Sequence, residues 1–140
     1  MISRAFVAWV AIALLAACSR HDGASAPSRA PASSSDGGAL YLQHCSSCHQ
    51  PDGSGMPGVF PPLLGDSIAT GDARRAIATV AFGSHGRIVV GGTAYDGVMP
   101  GWAADLNDDQ IAAIVTFVRG SWHNHAPPVT AADVAAVTGR

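Results

Sequence analysis

Hydrophobic and polar positions divide the chain into distinct stretches. Residues 5–17 form an almost unbroken apolar run that follows Arg4 and closes on small residues. A basic start followed by a short apolar segment is the pattern of an export signal, and the run is shorter than the ~20 residues a membrane-spanning helix needs. From Ser19 to Gly38 the chain turns to Ser, Ala, Pro and Gly with few large apolar side chains. Such a stretch cannot bury enough surface to offset its ordering entropy. The expected organisation is a signal segment at 1–17, a flexible tether at 18–36, a folded domain at 37–120 and a tail at 121–140.

Helical periodicity governs the folded part. Ala39 to Cys45 reads as a helix with Leu40 and Tyr41 on one face. A Gly- and Pro-rich loop is expected from Gln50 to Gly65. The next helix runs from about Asp72 to Phe82: Asp72 caps it, Ile77, Val80 and Ala81 make its apolar stripe, and Gly83 stops it. Gly-rich turns lead on to Met99. The strongest helix is Asp108 to Arg119, where Asn107 and Gln110 fit a capping box and Leu106 and Ile111 the hydrophobic staple. Ile111, Ile114, Val115 and Val118 are its buried stripe. Asp108 and Asp109 suit the positive end of the helix dipole and Arg119 the negative end. The tail holds a short helix starting after Thr130. The expected fold class is all-α.

Charge removes one class of partner. The formal net charge is −2, every basic residue is Arg and every acidic residue is Asp. Without a basic stripe there is no electrostatic footprint for nucleic acid.

The three cysteines need separate explanations. Leu15-Ala16-Ala17-Cys18 resembles the lipobox of bacterial lipoproteins, in which the Cys is diacylated; the alternative is ordinary cleavage nearby. Lipidation at Cys18 implies a lipid anchor on the periplasmic side of a bacterial membrane, and ordinary cleavage a soluble periplasmic protein.

Cys45-Ser46-Ser47-Cys48-His49 carries the chemistry. C-x-x-C-H reads as c-type haem attachment. Residues three and four apart share a helix face, so two thiols can add across the haem vinyl groups while His49 binds the iron. A thioredoxin-like site wants a strand before the motif, and a zinc site wants a second Cys/His pair; neither pattern is present.

A single His leaves the iron five-coordinate. Met56, soon after His49, shares a loop that must also cover the His49 side. Met99 has a helix and a long loop before it, enough chain to return over the opposite face, and is the expected second ligand. His/Met ligation raises the reduction potential. Tyr95 and Trp102 flank Met99 and are expected to pack in the haem environment or to hydrogen-bond a propionate. Arg87 is a further candidate for a propionate. His44 should point away from the haem face, and His123 and His125 should be solvated.

In their order, Gly37 and Tyr41, Cys45-Ser-Ser-Cys48-His49, Pro61-Pro62-Leu63, Met99-Pro100 and the helix with Phe117 resemble a class I c-type cytochrome. More narrowly, Phe60-Pro61-Pro62-Leu63, Tyr95 to Pro100 and Ala126 to Thr130 are similar to cytochrome subunits of membrane-bound alcohol or aldehyde dehydrogenases, and to cytochrome domains beside nitrite reductases. The resemblance implies a cytochrome c-like fold of three to four helices around one covalent haem c. It implies that Gly37 and Tyr41 pack against Phe117, and that the Pro61 carbonyl accepts the ring N–H of His49. The implied function is single-electron transfer between an extracytoplasmic dehydrogenase or respiratory complex and an oxidase or reductase, without enzymatic activity of its own. Ser46, Ser47 and Gln50 suggest a neutral contact surface for such redox partners. The alternative is a haem enzyme or gas sensor with a labile Met99, for which His85 and Arg87 are the only nearby acid–base candidates.

Overall fold

Asp36 starts the first helix by accepting hydrogen bonds from the Gly38 and Ala39 amides at 3.0 and 3.1 Å. In the computed structural model, residues 36–140 are described. The export signal, Cys18 and all of the tether before Asp36 lie outside the described residues. Helix α1 (Gly37–His44) buries Leu40 and Tyr41, as its pattern predicts. Cys45 interrupts the helix at φ −117°, and a single turn, α2 (Ser46–His49), follows. The loop from Gln50 leads to a second single turn, α3 (Ser67–Thr70).

Asp72 caps α4 (Ala73–Phe82) through the Arg74 amide, and Gly83 ends it at φ +79°. Ile77 and Ala81 are buried on this helix, joined by Ala76. The chain then forms an antiparallel hairpin of β1 (Ile88–Val90) and β2 (Thr93–Tyr95), with Ile88 opposite Tyr95 and Val90 opposite Thr93. Its turn is Gly91-Gly92, both at positive φ, which is what a two-residue hairpin loop demands. The domain is therefore helical with a small sheet, and the wholly helical expectation is corrected at these residues.

Helix α5 (Asp108–Gly120) has the complete capping box between Asn107 and Gln110. Ile111, Ile114, Val115 and Val118 are buried along it. α1 packs across α5, where the Tyr41 and Phe117 rings lie 5.4 Å apart between centroids. Trp122 completes an aromatic cluster, 5.0 Å from Tyr41 and edge-on to Phe117 at 5.4 Å.

The segment after Gly120 contributes to the core. α6 (Ala131–Thr138) begins at a Thr130–Asp133 capping box and packs against α4 and α5. Val134 is fully buried and Val129 nearly so; each such side chain contributes about 1.5–3 kcal/mol on burial. Thr116 ties the segment down by donating its hydroxyl to the Val129 carbonyl and accepting the Val129 amide. No helix among the described residues is long and apolar enough to cross a membrane.

Candidate functional site

The helices, the Pro61 loop and the hairpin leave between them a cavity of about 590 Å³. That size falls within the ~300–1,000 Å³ of small-molecule and cofactor sites. Its wall is mostly apolar, with Ile68, Ile88, Val90, Ile114 and Val115 among the lining residues. Cys45, Cys48 and His49 line it together, because the α2 turn gives the three residues one face. Both thiols are free. Burial pushes the Cys45 thiol up to about 11, with the neighbouring Cys48 adding to the shift.

His49 is oriented by its surroundings. Its Nδ1–H donates to the Pro61 carbonyl at 2.9 Å, which leaves Nε2 as the unprotonated nitrogen. Burial lowers its pKa, while the Pro61 hydrogen bond and the charge of Asp66 oppose that shift. The neutral ring is the form that binds metals. Tyr41 steadies the same turn by donating its hydroxyl to the Gln50 carbonyl at 2.6 Å. Burial, with Cys45 and Asp52 contributing, holds that phenol far above its usual range.

Met99 also lines the cavity. Its backbone exchanges two hydrogen bonds with Ser84, at 3.0 and 2.8 Å. Beyond it, the Trp102 and Ala103 amides donate to the Val80 and Ala81 carbonyls. Those carbonyls belong to the last turn of α4, where the helix itself offers no partner. The Met99 loop is thus hung from the C-terminal end of α4. Close approach of Gly83 to the Met99 carbonyl, and of Gly101 to Phe82, permits this contact. Met56 is 44% exposed, pairs with Phe60 in a loop bridge and is outside the cavity lining.

Pro61, Tyr95 and Trp102 all line the cavity, Tyr95 being buried. His44 lines it too, contrary to expectation, with its ring edge-on to Trp102 at 4.9 Å. The break at Cys45 explains the difference, since residues 44–49 are not one continuous helix. His85 and Arg87 are exposed and outside the lining. His123 and His125 are exposed as expected, and among the described residues no group of three or more His, Cys, Asp or Glu could hold a metal ion.

The charged residues on the cavity wall are Asp66, Arg75 and Arg119, none of which the sequence pointed out as a site residue. Asp66 is buried and caps α3 through the Ala69 amide at 3.1 Å. Arg119 is buried and donates to the Ala69, Gly71 and Pro127 carbonyls. It does more than face the dipole of α5: it joins α3 to the segment after α5. Asn124 is likewise buried, and nothing in its local sequence marks it.

Comparison with known proteins agrees with this geometry. The family model described as cytochrome C oxidase, cbb3-type, subunit III matches residues 32–118, more than half of the chain. The chain belongs to this family of c-type cytochromes. A cytochrome c domain of this family implies one covalently bound c-type haem, and the motif Cys45-x-x-Cys48-His49 is compatible with that attachment. The cavity fits the group: two free thiols and a neutral imidazole stand on one wall of a largely apolar space of suitable size.

This cytochrome is 39% identical over 101 residues to the cytochrome c subunit of a quinone alcohol dehydrogenase from Gluconacetobacter polyoxogenes, covering 70% of this chain and 21% of that subunit. It is 40% identical over 91 residues to cytochrome c-552 of Thermus thermophilus, covering 62% of this chain and 68% of that protein. It is 32% identical over 89 residues to the Cbb3-type cytochrome c oxidase subunit CcoP of Cereibacter sphaeroides, covering 62% of this chain and 27% of that subunit. The cytochrome therefore spans about a fifth of the length of the dehydrogenase subunit it matches.

Proposed function

We propose that the chain is a single-electron carrier in which Cys45 and Cys48 hold the haem by thioethers and His49 and Met99 are the axial ligands of its iron. Bound there, the haem supplies a one-electron iron couple. The protein's part is to fix His49 through Pro61, to bring Met99 in from the end of α4, and to keep water from the apolar wall. The observation that carries the reading is the placement of His49 and Met99 on one cavity, with Met56 exposed and outside it. A thioether favours Fe(II), so this pair gives a carrier of raised potential.

Named relatives that are cytochrome subunits of an alcohol dehydrogenase and a cbb3 oxidase support a place between a dehydrogenase donor and an oxidase or reductase acceptor. Exposed Val59, Phe82 and Val98 at the cavity lining suit a small, neutral contact with such partners. We place the protein on the periplasmic side of the membrane, anchored through lipidated Cys18. A Cys18→Ser variant should then leave the membrane fraction, and unchanged fractionation rejects the anchor.

The optical spectrum of the oxidised protein tests the ligands. A weak charge-transfer band from sulfur to Fe(III) is expected, lost in Met99→Ala and kept in Met56→Ala. Absence of the band together with ready CO binding by the reduced protein favours an enzyme or sensor instead. His85 and Arg87, exposed and outside the cavity lining, give that alternative no support.

A further inference from the structure

The carbonyl that accepts the His49 ring proton belongs to a residue that cannot anchor itself. Pro61 and Pro62 have no backbone N–H, so the position of the Pro61 carbonyl depends on the ties of its neighbours. Upstream, Phe60 is paired with Met56 through both of its backbone groups. Downstream, the Leu63 amide donates to the Gly53 carbonyl at 2.8 Å. The remaining ties come from one side chain on a distant part of the chain.

Asn124 uses both ends of its amide there. Its Oδ1 accepts the Gly65 amide at 2.8 Å, and its Nδ2 donates to the Leu63 carbonyl at 3.0 Å. The same Nδ2 donates to the Val118 carbonyl at 2.8 Å, fixing the amide to the last turn of α5. The side chain is 3% exposed. In a low-dielectric setting a fully paired amide is a stiff connection, and losing it leaves buried groups without partners.

The backbone before Asn124 is bent to put it there. Trp122 and His123 take φ of +51° and +69°, two consecutive non-glycine residues in the left-handed region. Such conformations persist only where the surroundings determine them, and they gather where position matters. The Trp122 ring is packed on Tyr41 and Phe117 by this turn, and the next inward-facing residue is Asn124.

We infer that Asn124 is a positioning residue for the proximal ligand: it clamps Leu63 and Gly65 so that the Pro61 carbonyl holds His49. The inference rests on the proposed ligation by His49. Acting through Pro61, Asn124 sets the strength of the ring hydrogen bond and thereby the donor character of the imidazole toward iron. The Asn124 amide touches neither ligand itself.

The test uses the purified holo-protein, comparing the parent with Asn124→Ala and Val134→Ala. Val134 is fully buried on α6 and does not line the cavity, so its truncation lowers stability alone. Asn124→Ala is expected to speed exchange of the His49 ring N–H at least tenfold by NMR and to raise the reduction potential. Val134→Ala should leave both at parent values. If Asn124→Ala folds and also keeps both parent values, the inference is overturned and Asn124 only caps α5. Should Asn124→Ala not fold, exchange in the unaltered holo-protein decides. Opening of the Gly65 amide and the His49 ring N–H with one equilibrium supports the coupling. A ring N–H that stays protected while Gly65 opens overturns it. Haem content and the sulfur-to-iron band of the parent are read separately, so failure of the ligand assignment is distinguishable from failure of this one.

Discussion

Gly37 of α1 lies against Ala113 of α5 so closely that a β-carbon on Gly37 would overlap the Ala113 carbonyl oxygen. The neighbouring Gly38 faces the Phe117 ring instead, where an added β-carbon would lie 3.2 Å from the nearest ring atom. A ring edge can shift by tenths of an ångström, whereas a carbonyl within a helix cannot. Two adjacent glycines thus have different tolerances.

Gly37→Ala should destabilise the protein by about 1–3 kcal/mol, the usual cost of overpacking, despite the better helix propensity of Ala. Gly38→Ala should be close to neutral. Denaturant unfolding of the two holo-variants checks this; equal stability of the pair would show that the helix crossing can open at no cost.

Tyr41→Phe keeps the ring against Phe117 and Trp122 and removes only the hydroxyl bonded to the Gln50 carbonyl. A loss of about 0.5–1.5 kcal/mol is expected, as for one ordinary hydrogen bond. Gln50 sits at φ +63°, directly after His49, so its amide should also become more exchangeable. Unchanged unfolding and exchange would mean that the turn after His49 is held without Tyr41.

Gly83→Ala combines a positive φ with a β-carbon driven into the Met99 carbonyl. It should displace the Met99 loop and abolish the sulfur-to-iron band of the oxidised protein. Gly92→Ala meets a similar φ of +81° but open space outside the cavity lining, so it should lose about 1 kcal/mol of stability and keep the band. Loss of the band in both variants would trace the effect to backbone strain and not to contact with Met99.

Acid should loosen the start of α6. The Thr130 hydroxyl and amide both bond to Asp133, and these bonds hold its carboxyl below the usual range. A group with a depressed folded pKa stabilises the fold above its unfolded value, ~3.9 for Asp, and that contribution is lost as pH falls through the folded value. The Thr130 amide resonance should therefore shift as the pH drops below about 4, and Asp133→Ala should remove that step. A titration identical in parent and variant would assign the acid sensitivity elsewhere.

Features set by neighbours along the chain were legible from sequence. Asp72, Asn107 and Gln110 act within a turn of their own positions, and the apolar stripe of α5 follows from helical spacing. The Cys45 to His49 turn was readable because three chemical groups occur at one helical interval. The hairpin escaped notice because its strands are three residues each, too short to show an alternation. Gly91-Gly92 was the available signal, lost among other glycine-rich turns. Asn124 and Arg119 were illegible for a different reason. Asn124 bonds to residues 59 and 61 positions away and Arg119 to one 50 away, so nothing adjacent to them in sequence records the partner. His44, expected to point away from the haem face, lines the cavity because the helix breaks at Cys45, a break no residue type there announces.

Those distant ties also bear on the order in which the protein is made. Cys45 is only 9% exposed in the folded chain, and burial pushes its thiol up to about 11. Bonds from Asn124 and Arg119 must wait for loops of about fifty residues or more to close, which is among the slower events of folding. Until they form, the loop that carries the Pro61 carbonyl lacks its ties to the far end of α5. The clasp thus closes late around a Cys45–His49 turn whose own backbone bonds reach six residues or fewer along the chain.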